Sequence, residues 1–210
     1  RSCALVANSG TGAITFAGLG LDGGSIFGSE MQGVTITCGA LNFGGSVYLR
    51  GNTDLTITNS GTWTIPESTI LTDTLVQSGG GAIVLTGDLT LEVEPNSGDA
   101  MTFNSPIDGE YAITSDLMNS TVLTLASLGQ TTPVGNLNLT VGGMVLNGDV
   151  TLAAGKSMTL TQNNVSWTTS TDVTITAPAG FTQVSGQVYL GGNFIINTTN
   201  SGVSFAGDIA

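Results

Sequence analysis

Histidine is absent from this 210-residue chain, and only Arg1, Arg50 and Lys156 carry positive charge. Without histidine there is no Ser-His-Asp or Cys-His nucleophilic site and no imidazole base, which removes most hydrolase mechanisms. Three cations, one of them terminal, are too few for a lyase that sets basic residues against an acidic sugar. Fifteen acidic residues leave a net charge of −12, so the field of the chain repels nucleic acid, anionic lipid and acidic polysaccharide. No apolar run reaches about 18 residues, so no membrane insertion is expected of this segment. Charged residues amount to 9%, and the scarcity of Lys, Arg and Glu removes the usual material of helices.

Cysteine is nearly absent as well, with only Cys3 and Cys38. An even count in a chain of secreted character suggests one disulfide closing a loop of about 35 residues. The alternative is two small buried thiols that never meet, since Cys38 lies in phase with inward-looking Val34 and Ile36. Two cysteines without histidine do not make an ordinary zinc site, and no metal or other cofactor is expected.

What is present is 40% apolar residues, 31 glycines and many Thr, Asn and Ser, enough for a sizeable core with strand and turn formers around it. One phrase recurs: an apolar strand, a glycine step, then a second alternating strand. It reads VYLRGNTDLTI, IVLTGDLTL, MVLNGDVTL and VYLGGNFII, with Gly51, Gly87, Gly148 and Gly192 as the steps. A second phrase places Phe shortly before a turn, in ITFAGLGLDGG, MTFNSPIDGE and VSFAGDIA. The glycine intervals of 36, 61 and 44 residues correspond to two, three and two units of about 20, the length of one solenoid coil.

Between these markers TDLTIT, GTWTIP, KSMTLT and TDVTIT alternate with period two, so each is a half-buried strand. Gly-Asn and Gly-Asp steps are expected to supply positive-φ corners. AITSDLMNSTVLTLASL is the only stretch suited to a short helical turn. The expectation is one elongated all-β domain over 1–210, a right-handed parallel β-helix of roughly ten coils, about 50 Å long at the spacing of stacked strands. A two-sheet β-sandwich is the alternative, disfavoured by the lack of two-residue hairpin turns.

The segments VLTGDLTLEVE, TFNSPIDGEYAITSD, VGNLNLTVGGMVLNGDVTLAAGKSMTLTQNNVSW and YLGGNFIINTT resemble the repeats of filamentous-haemagglutinin-like and autotransporter-like surface proteins of Gram-negative bacteria, mainly over residues 81–210. The resemblance implies a right-handed parallel β-helix exported to the cell surface as part of a longer adhesin. The sequence carries no secretion-specific N-terminal motif, translocator barrel or recognised binding tripeptide.

The remaining chemistry is carboxylate chemistry. Glu92 and Glu94, or Asp108 and Glu110, stand two apart and as strand neighbours would share a face at the separation glycosidases use. No Trp or Tyr cluster accompanies Glu92 and Glu94, and a solvated strand edge accounts for them. Asp22, Asp88, Asp108, Asp149 and Asp208 neighbour glycine at expected corners, where structural Ca²⁺ is conceivable but ordinary turn chemistry suffices. Outward Thr pairs suggest an ice-binding ladder, which their uneven spacing argues against. Trp63, Trp167, Tyr48, Tyr111 and Tyr189 are assigned to the fold. The sequons at Asn119, Asn138, Asn164 and Asn197 matter only in a glycosylating host.

The chain begins with Arg, so an upstream segment is expected to have been removed, and neither end reads as a cap. The functional expectation is a non-catalytic stalk or fibre segment of a secreted, extracellular bacterial surface adhesin. It would associate with itself or with neighbouring repeats and touch glycans or other cells. The alternatives are a pilus-like filament subunit joined head to tail by strand addition and a β-helix enzyme acting on glycans.

Overall fold

A computed structural model describes residues 3–20, 31–49, 53–93, 100–117, 121–162, 167–169 and 171–210. Among the described residues there is no helix, and every strand pairing is parallel. The chain coils into a β-solenoid with three faces.

The first face is a nine-stranded sheet built from Cys3–Asn8, Met31–Cys38, Asp54–Asn59, Leu75–Ser78, Ala100–Phe103, Val122–Leu125, Gly143–Leu146, Trp167–Thr169 and Val188–Leu190. The second begins with Ile14–Phe16, Leu41–Phe43, Trp63–Ile65, Ile83–Leu85 and Ile107–Asp108, and resumes with Val150–Thr151, Val173–Thr176 and Phe194–Asn197. Between those two blocks the connection is made outside named strands, by isolated bridges from Leu128 to Ile107 and Val150 and from Val134 to Leu152. The third face has eight strands, from Val47–Tyr48 to Val203–Phe205. A first sheet nine strands deep is slightly short of ten coils, and its parallel register excludes the sandwich, whose sheets are antiparallel.

Alternation produces this arrangement. In the first sheet Val34, Leu55, Leu75, Met101, Leu123, Met144, Trp167 and Val188 pair in one register column, and all are buried. Each such burial removes a whole apolar side chain from water, worth about 2 kcal/mol. Aromatic rings stack along the interior: Phe16 on Phe43 at 5.5 Å, Phe43 edge-on to Trp63 at 6.1 Å, Trp63 on Phe103 at 6.2 Å. Nearer the other end, Trp167 meets Phe194 at 5.1 Å and Phe181 meets Phe205 at 5.3 Å. The interior also holds Gln77, whose side-chain amide is fully answered. Gln77 donates to Asn59 Oδ1 at 2.8 Å and to Ser105 Oγ at 3.0 Å, while its Oε1 accepts the backbone N–H of Asn104 and Ser105.

The unit length varies although the register does not. One coil takes 20 residues from Leu55 to Leu75, but 26 from Leu75 to Met101 and 29 from Leu5 to Val34. Residues 21–30 and 94–99, within the two longer coils, lie outside the described residues. In AITSDLMNSTVLTLASL, where a short helical turn was expected, Ile113–Asp116 and Val122–Leu125 are strands, and residues 118–120 between them lie outside the described residues. Their inward Ile113, Leu123 and Leu125 are buried core residues, so period-two burial prevails over local helical preference.

Candidate functional site

Corners are where a parallel ladder leaves backbone N–H groups without a strand partner. Here aspartate takes them. Asp88 Oδ1 accepts from Ala112 N at 2.9 Å, Asp149 Oδ1 from Thr174 N at 2.7 Å, and Asp172 Oδ1 from Asn193 N at 2.8 Å, each on the next coil. Asn193 Nδ2 adds a bond to Asp172 Oδ2 at 3.1 Å, and these two bonds from Asn193 lower the Asp172 pKa. Aspartates at Gly-Asp steps (Asp88, Asp149) and at Thr171-Asp172 thus join successive coils. Among the described residues no group of three or more His, Cys, Asp or Glu is placed to hold a metal; Asp22 lies outside them.

The recurrent glycines serve a different purpose from the one their sequence suggests. Gly87, Gly148 and Gly192 do not have positive φ. A Cβ on Gly87 would run into the backbone N of Glu67, on Gly148 into the carbonyl of Ala126, and on Gly192 into the backbone of Asp172. They are needed because adjacent coils approach closely. Gly51 lies outside the described residues. The three phrases whose steps are described also occupy different corners: Gly87 joins the second face to the third, whereas Gly148 and Gly192 join the first to the second. The phrase repeats without being the structural unit.

The proposed disulfide is not formed. Cys38 is a free, buried thiol, and desolvation raises its pKa. In the pairing of Cys3–Asn8 with Met31–Cys38, Cys3 faces Met31 and Asn8 faces Thr37. Cys3 is therefore about six residues, or about 20 Å, out of step with Cys38, whereas a disulfide needs Cα atoms within about 7 Å. The two cysteines sit at opposite ends of neighbouring strands.

The paired carboxylates also change meaning. The strand Leu89–Glu92 ends at Glu92, and Glu94 lies outside the described residues. The strand Ile107–Asp108 ends at Asp108, and Gly109 at φ +127° turns the chain before Glu110. A Cβ there would press on Leu85, so this is a position for glycine. Outward threonines, in contrast, align better than their spacing suggests. Thr35, Thr56, Val76, Thr102, Thr124, Val145 and Thr168 form one outward column on the first face.

Trp63 and Trp167 are buried, as assigned, but Tyr111 and Tyr189 are 41% and 45% exposed. Tyr189 stands outward on the first face with its hydroxyl hydrogen-bonded to Gln187 Oε1 at 3.0 Å. Tyr111 lines an open cleft of about 620 Å³. This cleft lies where the second face is interrupted, and three consecutive coils build it.

Its floor is Val84 and Leu85, one wall is the turn at Asp108–Tyr111, and the other is Thr131 and Thr132. The walls are tied together by Gly109 N to Thr132 O at 3.1 Å and by Gly135 N to Tyr111 O at 2.8 Å. Asp108, 8% exposed, accepts from Thr131 N at 2.8 Å and Thr132 N at 3.2 Å, both through Oδ1. Its Oδ2 has no partner among the described residues. The site joins the fixed Asp108 carboxylate, a second carboxylate at Glu110, an aromatic ring, hydroxyls and an alkyl floor, which together can position a ligand. The recurrent phrases IVLTGDLTL and MTFNSPIDGE carry its floor and one wall, but neither marks a site; a further local sign is that GQTTPVG breaks the period-two alternation. Comparison with family models, curated proteins and solved structures gives no match for this chain.

Proposed function

We propose that this chain is a non-catalytic stalk or fibre segment of a secreted bacterial surface adhesin. The observation that carries the reading is the uninterrupted first sheet, in which nine parallel strands keep one register column through coils of unequal length. A protein organised this way gains length by repetition, and each coil is stabilised chiefly by its neighbours. Its outward columns carry Thr, Val, Ser and Asn, and the surface has few charges to attract a fixed counter-partner.

A second reading, a filament built from copies of the chain, is favoured by the coil at Val188–Phe205. There Phe194, Ile196 and Phe205 are only partly buried, and Leu190, Ile195 and Val203 are exposed. One more coil stacked on this edge would cover them and pair its strands, the usual fate of an exposed parallel edge. Negative-stain electron microscopy across a concentration series, with mass measured in parallel, separates the two. Monomeric rods of about 40 Å at all concentrations support the stalk; filaments of the intact chain support the subunit; a compact sphere removes both.

A further inference from the structure

We infer that the Asp108–Tyr111 cleft is a binding site for one hexopyranose unit of a neutral glycan. The inference stands apart from the stalk reading, because it depends only on local geometry. A sugar ring offers an apolar C–H face and an edge of hydroxyls, and the cleft offers the complement of each. Val84 and the exposed ring of Tyr111 supply apolar contact. Asp108 Oδ2 and the hydroxyls of Thr131 and Thr132 supply acceptors and donors along one side.

The carboxylate is more than one member of an acidic group. Asp108 is more than nine-tenths buried, its Oδ1 is held by two amides of the next coil, and the oxygen left without a partner belongs to a residue lining the cleft. An acceptor fixed in this way is pre-organised, which reduces the ordering cost of binding. No cationic side chain lines the cleft, and the net charge of −12 disfavours anionic sugars. A quaternary or alkylated ammonium is served by a cage of several aromatic rings, whereas Tyr111 is the sole aromatic here.

The test is saturation-transfer-difference NMR on the full chain with methyl β-D-galactopyranoside, methyl β-D-glucopyranoside and methyl α-D-mannopyranoside, each titrated into the millimolar range. Transfer to the ring protons of at least one sugar is expected. Tyr111→Ala should weaken that binding about tenfold, the scale of one lost aromatic contact. Tyr189→Ala, removing a comparably exposed ring from the open first face, should leave it unchanged, and Asp108→Asn should weaken it while preserving the fold by circular dichroism. No transfer from any of the three sugars, or binding equally affected by the two tyrosine variants, overturns the inference. Tetramethylammonium giving the stronger Tyr111-dependent signal also overturns it and reassigns the cleft to a cation.

Discussion

Asp149 reaches from one coil to the next and accepts the backbone N–H of Thr174 at 2.7 Å. Thr174 pairs with Ile195 on the following coil, and the carboxylate takes its N–H on the side of the preceding coil, where strand pairing begins only at Val150 with Ile175. Asp149→Ala leaves that amide to solvent and should lower the unfolding free energy by about 1 kcal/mol, with Asp149→Asn losing less. Urea denaturation followed by circular dichroism measures both, and equal loss in the two variants would contradict the bond's role.

Gly87 and Gly80 make a paired test of the close-approach argument. Gly87→Ala has to move the backbone of Glu67, whereas nothing lies within 4 Å of a Cβ on Gly80. The first should cost more than about 2 kcal/mol, in the manner of overpacking, and the second less than about 0.5 kcal/mol. Similar melting temperatures for both variants would show that the adjacent coil yields easily.

Cys38 should behave as an inert core residue. In a Cys3→Ser variant the remaining thiol is expected to resist a thiol-specific reagent until the protein unfolds. Because burial raises the Cys38 pKa above its ordinary 9.0, the native state holds the proton more tightly than the unfolded chain. The resulting stability is fully present below pH 9.0 and declines as pH rises through the higher native value. Denaturation of the Cys3→Ser protein against the Cys3→Ser/Cys38→Ala protein, from neutral to alkaline pH, isolates this contribution.

Trp63 lies between Phe43 and Phe103 with no exposed surface, and its indole Nε1 has no acceptor among the described residues. Trp63→Ala should cost about 4 kcal/mol through the cavity it leaves. Trp63→Phe keeps most of the ring contact and removes the unanswered N–H, so it should cost well under half as much. Thermal melts compare them directly.

Much of the architecture is legible in stretches such as DLTIT, where Leu55 and Ile57 are buried and Thr56 and Thr58 are not. Burial on alternate residues demands a strand, and many short strands without hairpin turns demand a coil. The corners were harder to read. Gly87, Gly148 and Gly192 look like turn residues in sequence, yet what requires glycine is the backbone of another coil. The cleft was less legible still, because Val84, Asp108 and Thr132 come from three successive coils and meet only through register. Neither the spacing of Asp108 from Glu110 nor the assignment of Tyr111 to the fold reveals a shared concavity.

The interrupted second face also makes the rod's compliance directional. Two faces carry continuous hydrogen-bonded ladders, while the second is held at one level by isolated bridges and corner bonds, among them Leu128 to Ile107 and Val150, Val134 to Leu152 and Gly109 N to Thr132 O. A bending load that opens this face meets the least resistance at that level. Flexure would therefore concentrate beside the Asp108–Tyr111 cleft, spreading its walls before either of the other faces begins to part.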